Sequence, residues 1–199
     1  LASKGADTVV LDPRAPWEKP CGGGLTDATF RDIPQLAEVL PWAQEIHTVR
    51  VEAEAGSYHV PLARPIQIVS RSELGRWQLD RALAAGAVHL RERVRSVRRG
   101  GGAWRLETPE RVVRATFLVG ADGAASIVRR AVAPKFDVEL APTRVAFPDG
   151  AGPTPDTLRL RFFPAVAGYV WDFPRRDHRS IGIGLQAGGW QRPAMDASV

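Results

Sequence analysis

An α/β part followed by antiparallel β structure is the fold class that this sequence predicts, and three observations carry the prediction. A short, partly β-branched apolar run, Thr8 to Leu11, ends at an acid, Asp12. An amphipathic helix opens at Ser70 or Ser72, runs to about Ala85 and stops at Gly86. After Pro134 helical periodicity disappears, and short strands recur between Pro and Gly.

Taken in order, Leu1 to Lys4 reads as a last helical turn closed by Gly5. Thr8 to Leu11 follows as a buried strand. A helix, a glycine, a buried strand and an acid at its carboxyl end form the back half of a dinucleotide-binding βαβ unit, in which the acid accepts hydrogen bonds from a ribose. The Gly-rich phosphate loop of such a unit is expected roughly 20 residues before the acid. Only 11 residues precede Asp12, so the loop is expected upstream of Leu1. Pro13 to Gly24 is a loop, and Thr26 to about Leu40 holds two helical turns broken at Pro34. Strands are expected at Ile46–Ala53, Ser57–Leu62 and Ile66–Val69, with Gly56 in the first hairpin turn.

The helix from Ser70 presents Leu74, Trp77, Leu79, Ala82 and Leu83 as its apolar positions. Strands then follow at Val88–Val97 (broken near Glu92), Ala103–Thr108 and Arg111–Arg114, with Gly100-Gly101-Gly102 as a hairpin tip. Phe117–Val119 is expected to be another buried strand, leading through Gly120-Ala121-Asp122-Gly123 into a helix from Ser126 to about Val132. The later strands are Arg144–Phe147, Leu158–Phe162, Gly168–Phe173 and Ser180–Gln186, read as an antiparallel sheet with one covered face. The strands within 46–69 are expected to join it. The expected domains are therefore 1–45 with 70–135 as the α/β part, and 46–69 with 136–199 as the second sheet.

Composition excludes several classes. Hydrophobic residues make up 44% and charged residues 25% of the 199, which rules out disorder of the whole chain. No apolar run approaches the ~20 residues of a membrane span, and a cytoplasmic location is expected, with peripheral membrane contact through a lipid substrate compatible with it. One cysteine, Cys21, leaves no disulfide framework and no cysteine zinc cluster. His47, His59, His89 and His178 lack ligand spacing and read as structural, so no metal is expected. The net charge of +5 comes almost entirely through arginine: only Lys4, Lys19 and Lys135 are lysines. Arg91, Arg93 and Arg95 alternate, and no aromatic residue interleaves for base stacking. A solvated strand face is expected there rather than a nucleic-acid site.

Three segments stand out: Lys19-Pro20-Cys21-Gly22-Gly23-Gly24-Leu25, Gly120-Ala121-Asp122-Gly123 with Ser126 and Arg129, and Tyr169-Val170-Trp171-Asp172-Phe173-Pro174. Together they resemble one family, the FAD-dependent geranylgeranyl reductases within the p-hydroxybenzoate-hydroxylase-like flavoproteins. The first is similar to the family's loop after the ribose-binding acid, the second resembles the group's Asp-Gly motif, and the third looks like the Y-x-W-x-F-P signature. The signature's usual proline three residues before the tyrosine is replaced by Val166, and the nearest proline is Pro164. Gly188-Gly189 does not supply the family's later Gly-Asp flavin motif. The chain thus resembles an internal fragment of such an enzyme: a truncated FAD/NAD(P)-binding Rossmann-like domain with an antiparallel substrate-domain sheet.

The resemblance implies roles residue by residue. Asp12 would contact the adenosine ribose, and the glycines beside Cys21 would bring backbone close to the flavin. Arg71 would reach the phosphate or flavin region, and Val94 would meet the adenine through its backbone. Asp122 and Gly123 would lie near the flavin and a nicotinamide cofactor. Tyr169, Trp171 and Phe173, on one strand face, would wall an apolar substrate pocket. Each position also has a plain structural reading: strand end, mobile loop, helix start, core, turn and cap, sheet core. The implied reaction reduces a carbon–carbon double bond of an isoprenoid with FAD, fed by NAD(P)H or a ferredoxin; no catalytic residue is assigned. The alternatives are a flavin-dependent monooxygenase of the same fold or a truncated, non-catalytic domain. A halogenase is disfavoured, since none of the three lysines sits where its passage lysine is needed.

Overall fold

The computed structural model describes residues 1–136, 138–164 and 166–186. Gly188-Gly189 therefore lies outside the described residues. Two compact units arise, Leu1–Ala15 with Gln78–Leu140 and Pro16–Trp77 with Ala141–Val199. Residues 16–45 and 70–77 thus group with the larger sheet rather than with the first unit.

In the first unit, β1 (Val9–Leu11) pairs in parallel with β5 (Val88–Leu90), joining Val9 to Val88 and Leu11 to Leu90. Gly5, at φ 78°, closes a short 3₁₀ turn, Ala2–Lys4, as its spacing predicted. The β1 run is not buried as expected: Val9 is exposed and Val10 and Leu11 are half-covered. The reason is that this sheet has only two strands among the described residues, so β1 has a neighbour on one side only. The second half of α2 (Arg71–Ala84) ends at Gly86, φ +92°, just before β5.

Val88–Val97 is two strands rather than one. β5 ends at Leu90, and β6 (Ser96–Gly100) begins an antiparallel three-stranded sheet with β7 (Ala103–Glu107) and β8 (Val112–Ala115). Between them, Arg91, Arg93 and Arg95 keep their alternating exposure while standing outside any strand. Gly101 and Gly102 both take positive φ at the β6–β7 turn, the geometry that matches strand twist in a tight hairpin. Phe117–Val119 forms no strand, and Phe117 and Val119 are exposed, because no described strand lies beside them to pair. The turn after it leads into α3 (Ile127–Val132).

The second unit is built on a seven-stranded sheet. Its strands are β2 (Gly24–Leu25), β3 (Gln44–Ala53), β4 (Gly56–Ile68), β9 (Thr143–Ala146), β10 (Thr157–Phe163), β11 (Val166–Pro174) and β12 (Arg179–Leu185), ordered β2-β4-β3-β10-β11-β12-β9. The strands near 46–69 do join those after 141. The sheet is not wholly antiparallel: β3 and β10 run parallel, Thr48 beside Thr157 through Glu52 beside Arg161. The two strands expected at 57–69 are one, β4. Pro61 and Pro65 do not break it because β2 pairs only with Gln67 and Ile68, so most of β4 is an edge where a missing N–H costs no ladder bond.

Ahead of β3, α1 (Asp27–Asp32) and a 3₁₀ stretch, Pro34–Trp42, meet at Pro34 as predicted. Leu36 and Val39 pack with Val69 and Leu74 under the start of α2. A second cluster, Ile46, Ile68 and Leu158, lies on the sheet with Phe173 against it. None of the described helices is long and apolar enough to cross a membrane.

Candidate functional site

The Cys21–Gly24 loop rests directly on the large sheet. A Cβ on Gly22 would overlap the Phe173 ring. Gly23 is buried at φ +87°, and a Cβ there would overlap the Val69 carbonyl oxygen. Its own carbonyl accepts the Val69 N–H at 3.0 Å, so glycine is required for both conformation and space. Gly24 starts β2 against Ile66 and Ile68.

Around Cys21 four residues close a ring of hydrogen bonds, two of its links through backbone groups. Arg175 Nη2 donates to the Cys21 carbonyl (3.1 Å) and Arg175 Nη1 to Glu18 Oε1 (2.9 Å). Glu18 Oε1 also accepts the Arg71 N–H (3.0 Å), and Arg71 Nη1 reaches Cys21 Sγ at 3.2 Å. Glu18 Oε2 accepts the Ser72 N–H at 3.0 Å and the Ser70 hydroxyl at 2.6 Å. Glu18 therefore caps α2 from outside the helix, beside Ser70, whose Oγ accepts the Glu73 N–H at 3.4 Å as expected. Burial alone would raise the Glu18 pKa. The Ser70 hydroxyl, the Ser72 N–H and the Arg175 guanidinium outweigh it and hold the carboxyl at about 2.

Arg175 is fully buried, with 3% of its side chain exposed. Its guanidinium lies over the Phe147 ring at 5.3 Å. Its Nη1 also faces His178 Nε2 at 3.0 Å. Arginine can only donate, so Nε2 accepts and the proton sits on His178 Nδ1, which donates to Asp177 at 2.6 Å. The Nε atoms of both Arg71 and Arg175 are buried without a hydrogen-bond partner. An unmet buried donor costs about 1–3 kcal/mol, a cost that the packing around the two guanidinium groups offsets.

The aromatic residues of β11 divide by depth. Register joins Tyr58, Val51, Leu160, Trp171, Gly182 and Val145 in one row across six strands. Trp171 is 5% exposed, packs onto Gly182 and Gly184 and donates its indole N–H to Ser180 Oγ at 3.3 Å. A Cβ on Gly182 would overlap the indole, so that glycine makes the seat for the ring. Phe173 is half-buried beneath Gly22. Tyr169, 41% exposed, stacks between Trp171 at 6.0 Å and Phe162 at 5.7 Å and is the accessible part of the stripe. The row's face is apolar, whereas the opposite face carries Arg50, Glu52, Arg159, Arg161, Asp172 and Arg179. On that face Arg179 forms a fork onto both oxygens of Asp172.

The remaining predicted residues lie in the first unit. Asp12 Oδ1 accepts the N–H groups of Arg14 (2.8 Å) and Ala15 (3.0 Å) in an Asx turn, and His89 Nε2 meets the Asp12 carbonyl at 3.0 Å. Val94 is half-buried between Arg93 and Arg95. Asp122 takes the Ser126 hydroxyl on one oxygen and the Ile127 (2.8 Å) and Val128 (3.3 Å) N–H groups on the other. Burial opposes its charge, but these three donors outweigh it and lower its pKa. Gly123 turns at φ +81°, and Gly120 packs on Val128.

Sequence reasoning singled out the loop, Arg71 and the aromatic strand, which the second unit gathers on one side of its sheet. It missed Glu18, Arg175, Ser180 and Gly182. The Gly182-Ile183-Gly184 alternation opposite a tryptophan strand was a usable signal for the last of these. No group of three or more metal-ligating side chains occurs among the described residues.

No family model matches the chain. It is 24% identical over 192 residues to an uncharacterised protein of Methanosarcina barkeri, covering 92% of this chain and 48% of the relative. The chain therefore spans about half the length of the curated relative it matches. Among solved structures, PqsL of Pseudomonas aeruginosa in complex with 2-aminobenzoylacetate aligns at a TM-score of 0.71 and 20% identity, over 93% of this chain and 56% of that one. PqsL is described as a probable FAD-dependent monooxygenase. A geranylgeranyl bacteriochlorophyll reductase-like protein of Thermoplasma acidophilum aligns at 0.70 and 17%, over 93% and 52%. The halogenase PltM in complex with phloroglucinol and FAD aligns at 0.72 and 16%, over 98% and 51%. The fold of this chain is the one these proteins share, over about half of their length.

Proposed function

We propose that this chain is part of an FAD-dependent oxidoreductase that reduces a carbon–carbon double bond of an isoprenoid. The observation that carries the reading is the apolar sheet face, which runs from exposed Tyr58, Phe162 and Tyr169 to Phe173 under the glycine loop. Phe162 and Tyr169, in ring contact and exposed, give a hydrocarbon an accessible apolar surface to lie on. In this reading Asp12 holds the adenosine ribose and the backbone of Val94 meets the adenine. Asp122 and Gly123 lie near the flavin and a nicotinamide donor. The Cys21–Gly24 backbone and Arg71 hold the flavin end. Arg71, half-buried beside Cys21, supports this as the arginine of the group that still has surface to meet an acceptor-rich cofactor.

When bound, FAD would supply hydride transfer. The chain's own groups would orient the substrate and keep water out: Tyr169 and Phe162 by apolar contact, Trp171 by fixing the sheet beneath them. The division into an FAD-binding α/β part and a substrate sheet belongs to the same proposal, as does peripheral membrane contact through a lipid substrate. A second reading, a flavin-dependent monooxygenase, is favoured by the likeness to PqsL.

One experiment separates the two. The protein is supplied with FAD, a reductant, oxygen and geranylgeranyl diphosphate or an aromatic acid, and the products are weighed by mass spectrometry. A gain of two hydrogens by the isoprenoid supports the reductase, and a gain of one oxygen by the aromatic acid supports the monooxygenase. Asp12→Ala should weaken FAD binding by about 1–3 kcal/mol; equal affinities for mutant and parent remove Asp12 from the site.

A further inference from the structure

We propose that Arg175 is the positioning residue of the flavin-side loop, acting through the ring it forms with Glu18, Arg71 and Cys21; the proposal rests on the FAD reading above. Three separate elements meet in that ring. Cys21 and Glu18 come from the loop before β2, Arg71 from the first turn of α2, and Arg175 from the end of β11.

Each link fixes a different degree of freedom. The bond from Arg175 Nη2 pins the Cys21 carbonyl, and with Ser180 Oγ at 3.2 Å that oxygen has two donors. The bond to Glu18 holds the carboxylate that receives the Arg71 and Ser72 N–H groups, and so sets where α2 begins. Arg71 is aimed back at Cys21 by its Nη1. A flexible glycine loop would otherwise be free to drift, since Gly22 to Gly24 contribute no side chains of their own. Arg175 stands just past the end of the strand that carries Trp171, Tyr169 and Phe173, so the aromatic stripe and the loop are tied to one strand. Lysine could not make this ring, because a single ammonium cannot address the Cys21 carbonyl and Glu18 along two fixed directions.

Cys21 is the only cysteine in the sequence, so thiol alkylation by iodoacetamide, read at this residue by peptide mass, reports on the loop alone. Labelling rates are measured for the parent, Arg175→Lys and Glu18→Gln, with and without added FAD, alongside circular dichroism. Ile183→Val, buried on the other sheet face, serves as a control for general loosening. Both ring variants should label roughly tenfold faster than the parent, the effect of losing a charge-assisted bond. The FAD concentration that halves labelling should rise by a similar factor, and Ile183→Val should match the parent. Parent-like labelling in both folded ring variants, or equal acceleration in Ile183→Val, overturns the positioning role. If FAD fails to protect Cys21 even in the parent, the FAD reading falls, while the labelling rates still decide whether Arg175 holds the loop. If Arg175→Lys does not fold, Glu18→Gln, which keeps the side-chain shape, decides alone.

Discussion

The first unit carries fourteen basic and nine acidic residues, whereas the second carries thirteen of each, so the whole net charge of +5 resides in the first. Their cores differ as sharply. Of the described buried hydrophobic residues, only Ala87 and Leu106 belong to the first unit. That unit exposes Val9, Val88, Phe117 and Val119 and relies on local polar turns at Asp12, Thr108 and Asp122. The second unit buries three apolar clusters and one arginine. The lesson is that groups in the second unit are held by long-range packing, and those in the first by neighbours in sequence. Substitutions should therefore be felt globally in one and locally in the other.

The largest effect should come from Trp171→Ala. Losing a buried tryptophan above Gly182 should destabilise the second unit by about 3–5 kcal/mol. Hydrogen exchange should show the loss across β3, β10, β11 and β12 while amides of β6 to β8 keep their protection. Protection lost equally in both units would erase the comparison. Unchanged turnover per folded molecule would leave Trp171 as sheet core rather than substrate wall.

Acid should act next, and on the second unit. The Glu18 carboxyl is held at about 2 against an ordinary value of 4.5, so the unfolded chain takes up its proton first as the pH falls. The stability it supplies is whole above the ordinary value and is lost as pH falls through about 2. The shift corresponds to about 3 kcal/mol at most, and solvent screening of the partly exposed carboxylate lowers it. Urea melts across that range should show the loss, and Glu18→Gln should flatten it; the same slope in the variant would assign the acid sensitivity elsewhere.

In the first unit Asp122→Ala removes the acceptor of the Ser126 hydroxyl and of two α3 amides. A cost of about 1 kcal/mol is expected, confined to the turn before α3 and α3 itself and read by exchange at Ile127 and Val128. Spread of the effect into β6 to β8 would show that the unit is more cooperative than its sparse core suggests.

The smallest effect concerns charge. Arg98, Arg105 and Arg114 stand directly opposite one another across β6, β7 and β8, all exposed, with Glu107 paired to Arg105 at 3.0 Å. Arg114→Gln should change stability by no more than about 0.5 kcal/mol, in the stabilising direction, and added salt should narrow the difference. A destabilisation that persists in salt would mean that Arg114 packs rather than repels.

What the sequence alone determined is what depends on near neighbours. The glycine stops at Gly5 and Gly86, the break at Pro34 and the Ser126 cap follow from backbone conformation and single hydrogen bonds. The strands after Pro134 were legible because alternation and Pro/Gly punctuation act within a few residues. The aromatic stripe was legible as a stripe, since a period of two needs no partner. Tertiary structure decided the rest. Phe117–Val119 has the composition of a strand, but a strand exists only where another can pair with it. The parallel junction of β3 and β10 brings together segments more than 100 residues apart, which no local pattern encodes. The ring at Cys21 is the clearest case. Arg175 lies 157 residues from Glu18 in a charge-rich turn that reads as solvent-exposed, and only the packed sheet buries it and gives its guanidinium three acceptors.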